Sequence, residues 1–414
     1  MHEGWKEIVL GDYCERITVG HVGSMANQYR HNGIPFLRSL NINPFCLNLS
    51  NLVFIDEIFH KKLKKSELKP GDLVLVRTGY PGTACVIPDY IEVANCSDLV
   101  IIRTGKNLDP YFIATVFNST WGIQSVGGST VGAAQQHFNI GTAKSLKLFA
   151  PPYPVQKTIG GIIRSFNDAI EINNQRIKLL EEAAREFYKE WFVRMRFPGY
   201  KKAKFVKGIP DGWNINTCYS FSDVKGGGTP STTNFEYWDG HISFFTPTDH
   251  TDSFFIMATE KKITEKGLYN SSTKLFPKYT TFITARGTVG NICIAGEEMA
   301  MNQSCFAVVP HEPNDYYFAF LFTEEMVRYF KQVANGATFD AITLNTFRKY
   351  KALIPSKKLR VRFFELVSPF FQQIETLTRQ NTELRQIRDR LLPRLISGKL
   401  SVRANAKSKQ TAGI

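Results

Sequence analysis

Two carboxylates and a lysine in the second half of the chain have a spacing that could support cleavage of a phosphodiester bond with a divalent metal. Pro210-Asp211 is followed by Asp223-Val-Lys225, so the carboxylates would hold the cation and the lysine would steady the attacked phosphate. The pattern is loose, and Pro210-Asp211-Gly212 is more typical of a turn. The matching stretch near the start of the chain, Glu15-Arg16-Ile17, has no such lysine. We therefore favour a structural role over a nuclease site.

A second candidate is the run Ala150-Pro-Pro-Tyr153. It resembles the Asn/Asp/Ser-Pro-Pro-aromatic motif of amino-methyltransferases, in which the first side chain accepts a hydrogen bond from the target amino group and the ring stacks on a flipped base. Alanine offers no acceptor, and no glycine-rich strand-to-helix turn precedes the run. The matching stretch of the second half, Ile354-Pro-Ser356, has lost the second proline and the aromatic residue. These residues argue against methyl transfer by this chain.

Other residue types that commonly do chemistry show no functional spacing. The eight histidines form no HExxH motif and no zinc-site spacing with the cysteines. The seven cysteines form no CxxC pair, and apolar neighbours predict core positions for Cys85, Cys96, Cys293 and Cys305. The glycine runs lack the Lys-Ser/Thr that completes a P-loop. The sequence therefore predicts a binding protein with no catalytic residues, metal or cofactor of its own.

Composition narrows the class of protein further. The chain has 414 residues, of which 43% are hydrophobic and 21% charged, so it is neither disordered nor collagen-like and is long enough for two or three cores. The net charge of +14 favours a polyanionic partner such as nucleic acid. No secretory signal or 18-residue apolar run is visible, and an odd number of cysteines suits a reducing compartment. We expect a cytoplasmic protein with no membrane segment.

The sequence contains an internal repeat whose period is about half the length of the chain. Gly4-Trp5 recurs as Gly212-Trp213, and Ile34-Pro-Phe-Leu37 recurs as Ile242-Ser-Phe-Phe245. The stretch from Val76 to Cys85 aligns with that from Thr284 to Cys293, with two glycines and the cysteine in register. Two similar globular units are therefore predicted.

Each half ends in a stretch with a different pattern. Apolar residues recur at alternating steps of four and three through residues 155–197 and again through 359–396, which predicts two long helices sharing an a/d seam. Asn173 and Asn381 fall on this seam, where a buried polar residue can fix the register of two helices; the alternative is that both lie at a water-lined edge. Pro369 is expected either to kink the second helix or to mark its start.

These patterns predict an α+β protein in which two similar globular domains are joined by two long antiparallel coiled-coil helices, with an internal pseudo-two-fold repeat. The predicted segments are a first globular domain (1–154), a central long helix (155–204), a second globular domain (205–354), a distal long helix (355–402) and a flexible basic tail (403–414). Two similar domains on a helical frame suit recognition of two separated segments of one long partner, and DNA is such a partner.

Candidate DNA contacts are loop residues beside glycines, where the backbone can approach a phosphate and polar side chains can reach base edges. For any one of them, a surface salt bridge or a turn hydrogen bond is the competing interpretation. The candidates are Arg38, Asn41, Arg77, Thr78, Tyr80, Gln135 and Gln136 in the first half and Thr246, Asp249, His250, Arg286, Thr288 and Gln303 in the second.

Four segments carry a resemblance to a known family. They are Ala150-Pro-Pro-Tyr-Pro-Val-Gln156-Lys-Thr-Ile159, Glu181-Glu-Ala-Ala-Arg-Glu-Phe-Tyr-Lys-Glu-Trp-Phe-Val193, Ile209-Pro-Asp-Gly-Trp213 and Arg390-Leu-Leu-Pro-Arg-Leu-Ile-Ser-Gly398-Lys-Leu400. They resemble four parts of type I restriction-modification specificity subunits. The first two resemble the start and the end of the central conserved region. The third resembles the entry to the second recognition domain, and the fourth resembles the C-terminal end. One segment departs from the family: Ile354-Pro-Ser-Lys-Lys-Leu-Arg360 opens the second helix without the Pro-Pro…Gln signature.

The resemblance implies that residues 1–154 and 205–354 are target recognition domains, each recognising one half of a bipartite, asymmetric double-stranded DNA site. The helices would set the gap between the halves and recruit two modification (methyltransferase) subunits. Restriction (translocase/endonuclease) subunits would complete the complex. S-adenosylmethionine, ATP and Mg would then belong to the partner subunits, and this chain would be non-catalytic.

The main rival is a stand-alone nucleic-acid-binding or scaffold protein that has no methylase partner; a fused methyltransferase-nuclease is disfavoured by the missing motifs. The location of the charge bears on both interpretations. Residues 1–154 carry a net charge of +2 and residues 205–354 one of −2, whereas segments 155–204 and 355–402 carry +5 and +6. Any recognition by the two domains must therefore depend on local loops and not on bulk charge.

Overall fold

The computed structural model describes residues 4–25, 27–127, 138–251, 253–333 and 341–402. It divides into two compact units. The first comprises residues 1–170 together with 384–414, and the second comprises residues 171–383. Among the described residues, none of the helices combines the length and the apolar character that a membrane span requires.

Short apolar runs form the strands of the first unit, and the run at 73–76 is buried along its whole length. Such continuous burial is typical of a strand covered on both faces. One sheet has the order β6-β3-β10-β7 and another the order β2-β11-β8-β9, while β1 pairs with β12 and β4 with β5. The strands are β1 (Lys6–Val9), β2 (Cys14–Val19), β3 (Ile34–Leu37), β4 (Ile42–Asn43), β5 (Cys46–Leu47), β6 (Val53–Ile55), β7 (Glu67–Leu68), β8 (Leu73–Val76), β9 (Ala84–Val86), β10 (Ala94–Cys96), β11 (Leu99–Thr104) and β12 (Lys147–Ala150).

The second unit is built in the same way. One sheet has the order β19-β17-β23-β20, another has the order β16-β24-β21-β22-β18, and two-stranded pairs join β15 to β25 and β13 to β14. The strands are β13 (Phe205–Val206), β14 (Ile209–Pro210), β15 (Asn214–Asn216), β16 (Ser222–Gly226), β17 (Trp238–Phe245), β18 (Phe255–Ile256), β19 (Lys261–Ile263), β20 (Leu275–Phe276), β21 (Thr281–Thr284), β22 (Ile292–Ala295), β23 (Met299–Met301), β24 (Cys305–Pro310) and β25 (Ala352–Ile354).

The repeat seen in the sequence is therefore a repeat of topology. In each unit one strand pair is parallel at the centre of a sheet: β3 with β10 in the first and β17 with β23 in the second. The next sheet has β8 beside β11 in the first unit and β21 beside β24 in the second, both antiparallel. The α+β class and the internal repeat are confirmed.

The helices include two that are much longer than the rest. They are α1 (Glu57–Lys62), α2 (Pro110–Phe117), α3 (Thr120–Gly127), α4 (Ile140–Ser145), α5 (Tyr153–Tyr188), α6 (Glu265–Tyr269), α7 (Tyr316–Val333), α8 (Leu344–Lys349) and α9 (Lys357–Ile396). The sequence predicted a helix through residue 197, but α5 ends at Tyr188 and is followed by one π-helical turn at Lys189–Val193. α9 runs through both Pro369 and Pro393, so Pro369 does not mark its start. Buried Phe363, Val367 and Phe371 hold that region in place.

The two long helices run antiparallel in each unit. In the second unit, the Phe187 ring of α5 lies 5.8 Å from that of Phe370, and Asn173 Nδ2 donates to Asn381 Oδ1 at 2.9 Å. Asn381 is buried and donates in turn to Asn174 at 2.8 Å. In the first unit, Arg388 of α9 donates to Asn167 of α5 at 2.7 Å. The predicted seam asparagines thus meet through a hydrogen bond that favours one register.

Each long helix begins with a buried polar contact to the helix that follows the main sheets. In the first unit the Gln156 side chain accepts from the backbone N–H of Asp109 at 3.0 Å and donates to the carbonyl of Pro151 at 2.9 Å. Asp109 in turn caps α2. We call this set the helix-start contact of the first unit.

The second unit has an equivalent contact with different chemistry. Arg360 stands five residues after Pro355, as Gln156 does after Pro151. Its guanidinium donates to both oxygens of Asp315, at 2.8 and 3.1 Å, and to the Pro355 carbonyl at 2.9 Å. Asp315 directly precedes α7. The segment that departs from the Pro-Pro…Gln signature thus keeps its role with arginine and aspartate.

Glu181 of α5 joins the helix to the second unit near α7. Its carboxylate accepts from the backbone N–H of Phe254 at 2.9 Å and lies 3.6 Å from Arg185. Arg185 makes a two-point ion pair with Glu324 of α7 at 3.1 and 3.0 Å. Burial raises the pKa of Glu181 to about 7, with the negative charge of Glu324 adding to the rise and the Phe254 N–H and Arg185 opposing it.

Replacing Arg360 by Met should destabilise the second unit by about 3–5 kcal/mol, because it leaves the buried Asp315 charge unpaired. Arg379→Met on the same helix is the control: Arg379 is exposed, and its partner Glu375 keeps Lys278 and Tyr279, so the loss should be less than about 0.5 kcal/mol. The loss of stability in each variant is measured by the hydrogen-exchange protection of the α7 amides. Equal protection of α7 in the two variants would refute the role given to Arg360.

The raised pKa of Glu181 predicts that stability falls as pH rises. Because its pKa in the folded chain lies above its ordinary value of 4.5, the native state binds this proton more tightly, and the stabilisation is lost between about pH 4.5 and pH 7. The change should be about 2–3 kcal/mol. Unfolding of wild type and Glu181→Gln, compared at pH 5 and pH 8, should show a smaller pH effect in the variant; identical effects would contradict the assignment.

Candidate nucleic-acid interface

Strand pairing in the first unit brings three loops to one edge. Because β3 and β10 are parallel, with Leu37 beside Cys96, both chains leave the sheet at the same end. Because β8 and β11 are antiparallel, with Val76 beside Leu99, the end of β8 adjoins the turn before β11. We call the resulting set of loops, 38–41, 77–80 and 97–98, the loop edge of the first unit.

The second unit forms the same edge from matching loops. Phe245 pairs with Met301 in the parallel β17–β23 pair, and Thr284 of β21 pairs with Cys305 of β24. The loop edge of the second unit therefore consists of residues 246–250, 286–288 and 302–304. Gly79 and Gly287 turn the middle loop in the two units, with φ of 86° and 77°, a backbone conformation that favours glycine. The aligned glycines in the sequence thus mark one turn, used twice.

Arg38 and Asn41 hold the first loop of this edge together. Asn41 is fully buried; its side chain accepts from the backbone N–H of Arg38 at 3.0 Å and donates to the Asn48 carbonyl at 2.9 Å. The Arg38 guanidinium donates to the Asn51 carbonyl at 2.6 Å, while its Nε is buried with no partner among the described residues. The Asn41 amide is therefore engaged inside the loop, whereas the buried Nε of Arg38 has no hydrogen-bond partner among the described residues.

Arg77 and Thr78 converge on a residue that the sequence did not single out, Asp98. The Thr78 hydroxyl donates to the Asp98 carboxylate, and Arg77 lies 3.6 Å from its other oxygen. Arg77 also donates to the Phe138 carbonyl at 3.4 Å. Tyr80, at the tip of the same loop, is 85% exposed. The edge thus has a fixed polar base and one free aromatic ring.

In the second unit, Thr246 and Asp249 close the first loop on itself. Asp249 accepts from the backbone N–H and the hydroxyl of Thr246, both at 2.7 Å, and from the Glu260 N–H at 2.8 Å. His250 follows directly and is half-buried. The carboxylate of Asp249 is thus used in shaping the loop.

Arg286, Thr288 and Gln303 present side chains on the remaining two loops, and all three are exposed. Gln303 accepts a hydrogen bond from the Thr229 hydroxyl, and the Thr288 carbonyl accepts one from Thr284. The Arg286 guanidinium has no ion pair or hydrogen bond to any described residue. Gln135 and Gln136 of the first unit lie outside the described residues.

The two loop edges differ in where they place positive charge. In the aligned loops Arg286 matches Thr78, and Arg77 matches Ala285, which is buried. On the middle loop, the first unit therefore pairs Arg77 with a carboxylate, whereas the second leaves Arg286 exposed. Two edges with one topology and different side chains are suited to bind two different sequences.

Asp223 of the nuclease-like pattern is paired with other side chains, and the aligned cysteines are buried. Asp223 forms an ion pair with Lys225 at 3.5 Å and a hydrogen-bond contact with His311 Nε2 at 3.3 Å, and no group of ligands able to hold a metal occurs among the described residues. All seven cysteines are free. Burial raises the pKa of the Cys305 thiol to about 12 and shifts those of Cys85, Cys96 and Cys293 further upward, so these thiols stay protonated.

Comparison with known proteins gives two matches of one family model within the chain. The model is described as the type I restriction modification DNA specificity domain, and it matches residues 2–182 and 210–386. The two matched segments correspond to the two halves of the internal repeat.

Individual relatives have the same description. The type I restriction enzyme HindI specificity subunit of Haemophilus influenzae is 22% identical over 96% of this chain and 99% of its own length. The MjaIX specificity subunit of Methanocaldococcus jannaschii is 29% identical, over 48% of this chain, and the chain spans only 46% of that protein. Among solved structures, a type I restriction-modification S subunit from M. genitalium has the same fold, with a TM-score of 0.61 at 13% identity over 94% of this chain and 96% of that one.

Replacing Asn41 by Ala should destabilise the first unit by about 1–3 kcal/mol, because the Arg38 N–H and the Asn48 carbonyl lose a buried partner. Arg286→Gln, on an exposed and unpaired side chain, should change stability by less than about 0.5 kcal/mol. Hydrogen exchange of the two loop edges measures both effects: protection should fall in Asn41→Ala and stay unchanged in Arg286→Gln. An Asn41→Ala variant as protected as wild type would show that the buried amide does not hold the loop.

Proposed function

Because the chain belongs to the type I restriction modification DNA specificity family, we propose that residues 1–154 and 205–354 are target recognition domains for the two halves of a bipartite, asymmetric site in double-stranded DNA. The family consists of non-catalytic DNA-recognition subunits, and this chain is one of them. The proposal concerns how it recognises DNA and with what it assembles.

The observation that carries the proposal is the repeated loop edge. Each unit gathers three loops at the same end of two sheets, and rigid sheets carrying variable loops are a common way to build a binding surface. The side chains there include exposed Arg286, Thr288 and Gln303 in the second unit and Tyr80 in the first. Arginine and glutamine can pair with guanine and adenine edges in the major groove.

Positive charge supports a second contribution from the helices. The segments 155–204 and 355–402 carry net charges of +5 and +6, against +2 and −2 for residues 1–154 and 205–354. Phosphate contacts supply affinity and position a protein without distinguishing sequence. We assign base recognition to the loop edges and propose that the helices attract the DNA between the half-sites or dock acidic surfaces of partners.

We further propose that the antiparallel helices recruit two modification subunits, and that restriction subunits complete the complex. Under this proposal S-adenosylmethionine, ATP and Mg act in those partner subunits. The chain then supplies the target sequence, and the partners supply adenine methylation, translocation and cleavage.

The rival function is a stand-alone nucleic-acid-binding or scaffold protein. Exposed apolar residues on α5, such as Ile172 at 57% and Leu179 at 65%, favour a partner on the helices. Co-expression with a modification subunit should therefore increase the soluble yield of this chain and give a stable complex. A chain that stays soluble alone and does not bind that subunit would support the rival.

Lengthening the helices should lengthen the unspecified gap in the DNA target. Inserting seven residues in both α5 and α9, next to Asn173 and Asn381, preserves the a/d seam and adds about 10 Å of helix. The gap in the methylated motif should grow by up to about three base pairs, with both half-sites unchanged. The same insertion between residues 198 and 204, outside the helices, is the control. An unchanged gap in the helix variant would contradict the spacer role.

A further inference from the structure

We infer that Asp98 is the positioning residue that sets the specificity of the first unit; the inference rests on the proposed function. Asp98 lies in the turn between β10 and β11, which adjoins the ends of both β3 and β8. Its carboxylate contacts residues of both neighbouring loops.

Its contacts tie the three loops together. The Thr78 hydroxyl donates to the Asp98 carboxylate and Arg77 lies 3.6 Å from it. From the other loop, the Ser39 hydroxyl lies 3.4 Å from the Asp98 carbonyl and 3.5 Å from its carboxylate, a weaker contact. Side chains that must meet base edges need this kind of support, since an unsupported arginine loses much conformational freedom on binding.

The backbone at Asp98 indicates that its place is specific. Its φ is 54°, in the left-handed region that non-glycine residues seldom adopt and that Asp and Asn adopt most readily. The matching turn of the second unit, Asn302-Gln-Ser304, has no carboxylate. Loss of Asp98 should therefore affect only the half-site recognised by the first unit.

Asp98→Asn tests the inference, since Asn fits the same backbone but removes the negative charge and one acceptor oxygen, which weakens the contacts with Arg77 and Thr78. The assembled complex is first used to define the wild-type methylated motif, and affinity is then measured for a duplex of that motif and for duplexes with one substituted base pair in either half. In Asp98→Asn, the ratio of the affinity for the motif to that for a substituted duplex should fall about tenfold when the substitution lies in one half-site. The ratio should be unchanged for substitutions in the other half-site. The matched control is Asp56→Asn, because Asp56 is similarly exposed and paired with Arg30 but lies at the opposite end of β3.

Thr78→Val removes the same contact from its other side and should relax the same half. The double variant should be no worse than either single variant, because both act through one contact. Additive losses would mean that Asp98 and Thr78 contact bases separately, which overturns positioning. If Asp98→Asn instead raised the affinity for all duplexes equally, the ratio of motif to substituted affinity would be preserved. Asp98 would then act only by repelling DNA phosphates, which would also overturn the positioning role. If the wild-type complex itself shows no preferred motif, that result contradicts the proposed function of the chain and is distinct from a failure of the Asp98 assignment.

Discussion

The buried polar contact at the start of each long helix is the constraint on which the other features of each unit depend. A polar side chain held inside an apolar core costs several kcal/mol when its partner is lost, so it permits essentially one orientation of the groups that it joins. Gln156 fixes α5 to the start of α2, and Arg360 fixes α9 to the start of α7. Because α2 and α7 pack on the sheets that end in the loop edges, helix direction and loop position are coupled within each unit.

This coupling explains how two units of one topology can serve different targets. The sheets and helix-start contacts repeat, whereas the loop residues differ: a carboxylate supports Arg77 in the first unit, and Arg286 stands exposed in the second. The globular segments 1–154 and 205–354 carry net charges of only +2 and −2, which removes a general attraction for DNA from the parts that must discriminate between sequences. The surplus charge lies on the helical segments, where sequence-independent contacts belong.

Sequence patterns predicted the repeat, the long helices and the seam asparagines because apolar periodicity and aligned glycines are local signals. They did not predict the pairing of Arg360 with Asp315 or the position of Asp98, since both depend on residues distant in the chain that only the fold brings together. Of the candidate contacts, Asn41 and Asp249 are engaged in closing their own loops, which residue type alone could not distinguish from a free side chain. The helix through Pro369 shows packing overriding a local breaking signal.

The central claim is that two units of this chain together define one bipartite DNA target. A genome-wide adenine-methylation map of cells that hold the partner modification subunit, with and without the gene for this chain, tests it most directly. The account predicts one motif of two specified half-sites separated by an unspecified gap, present only with the gene. A map that the gene does not change, or a gene-dependent motif that is continuous, would contradict it.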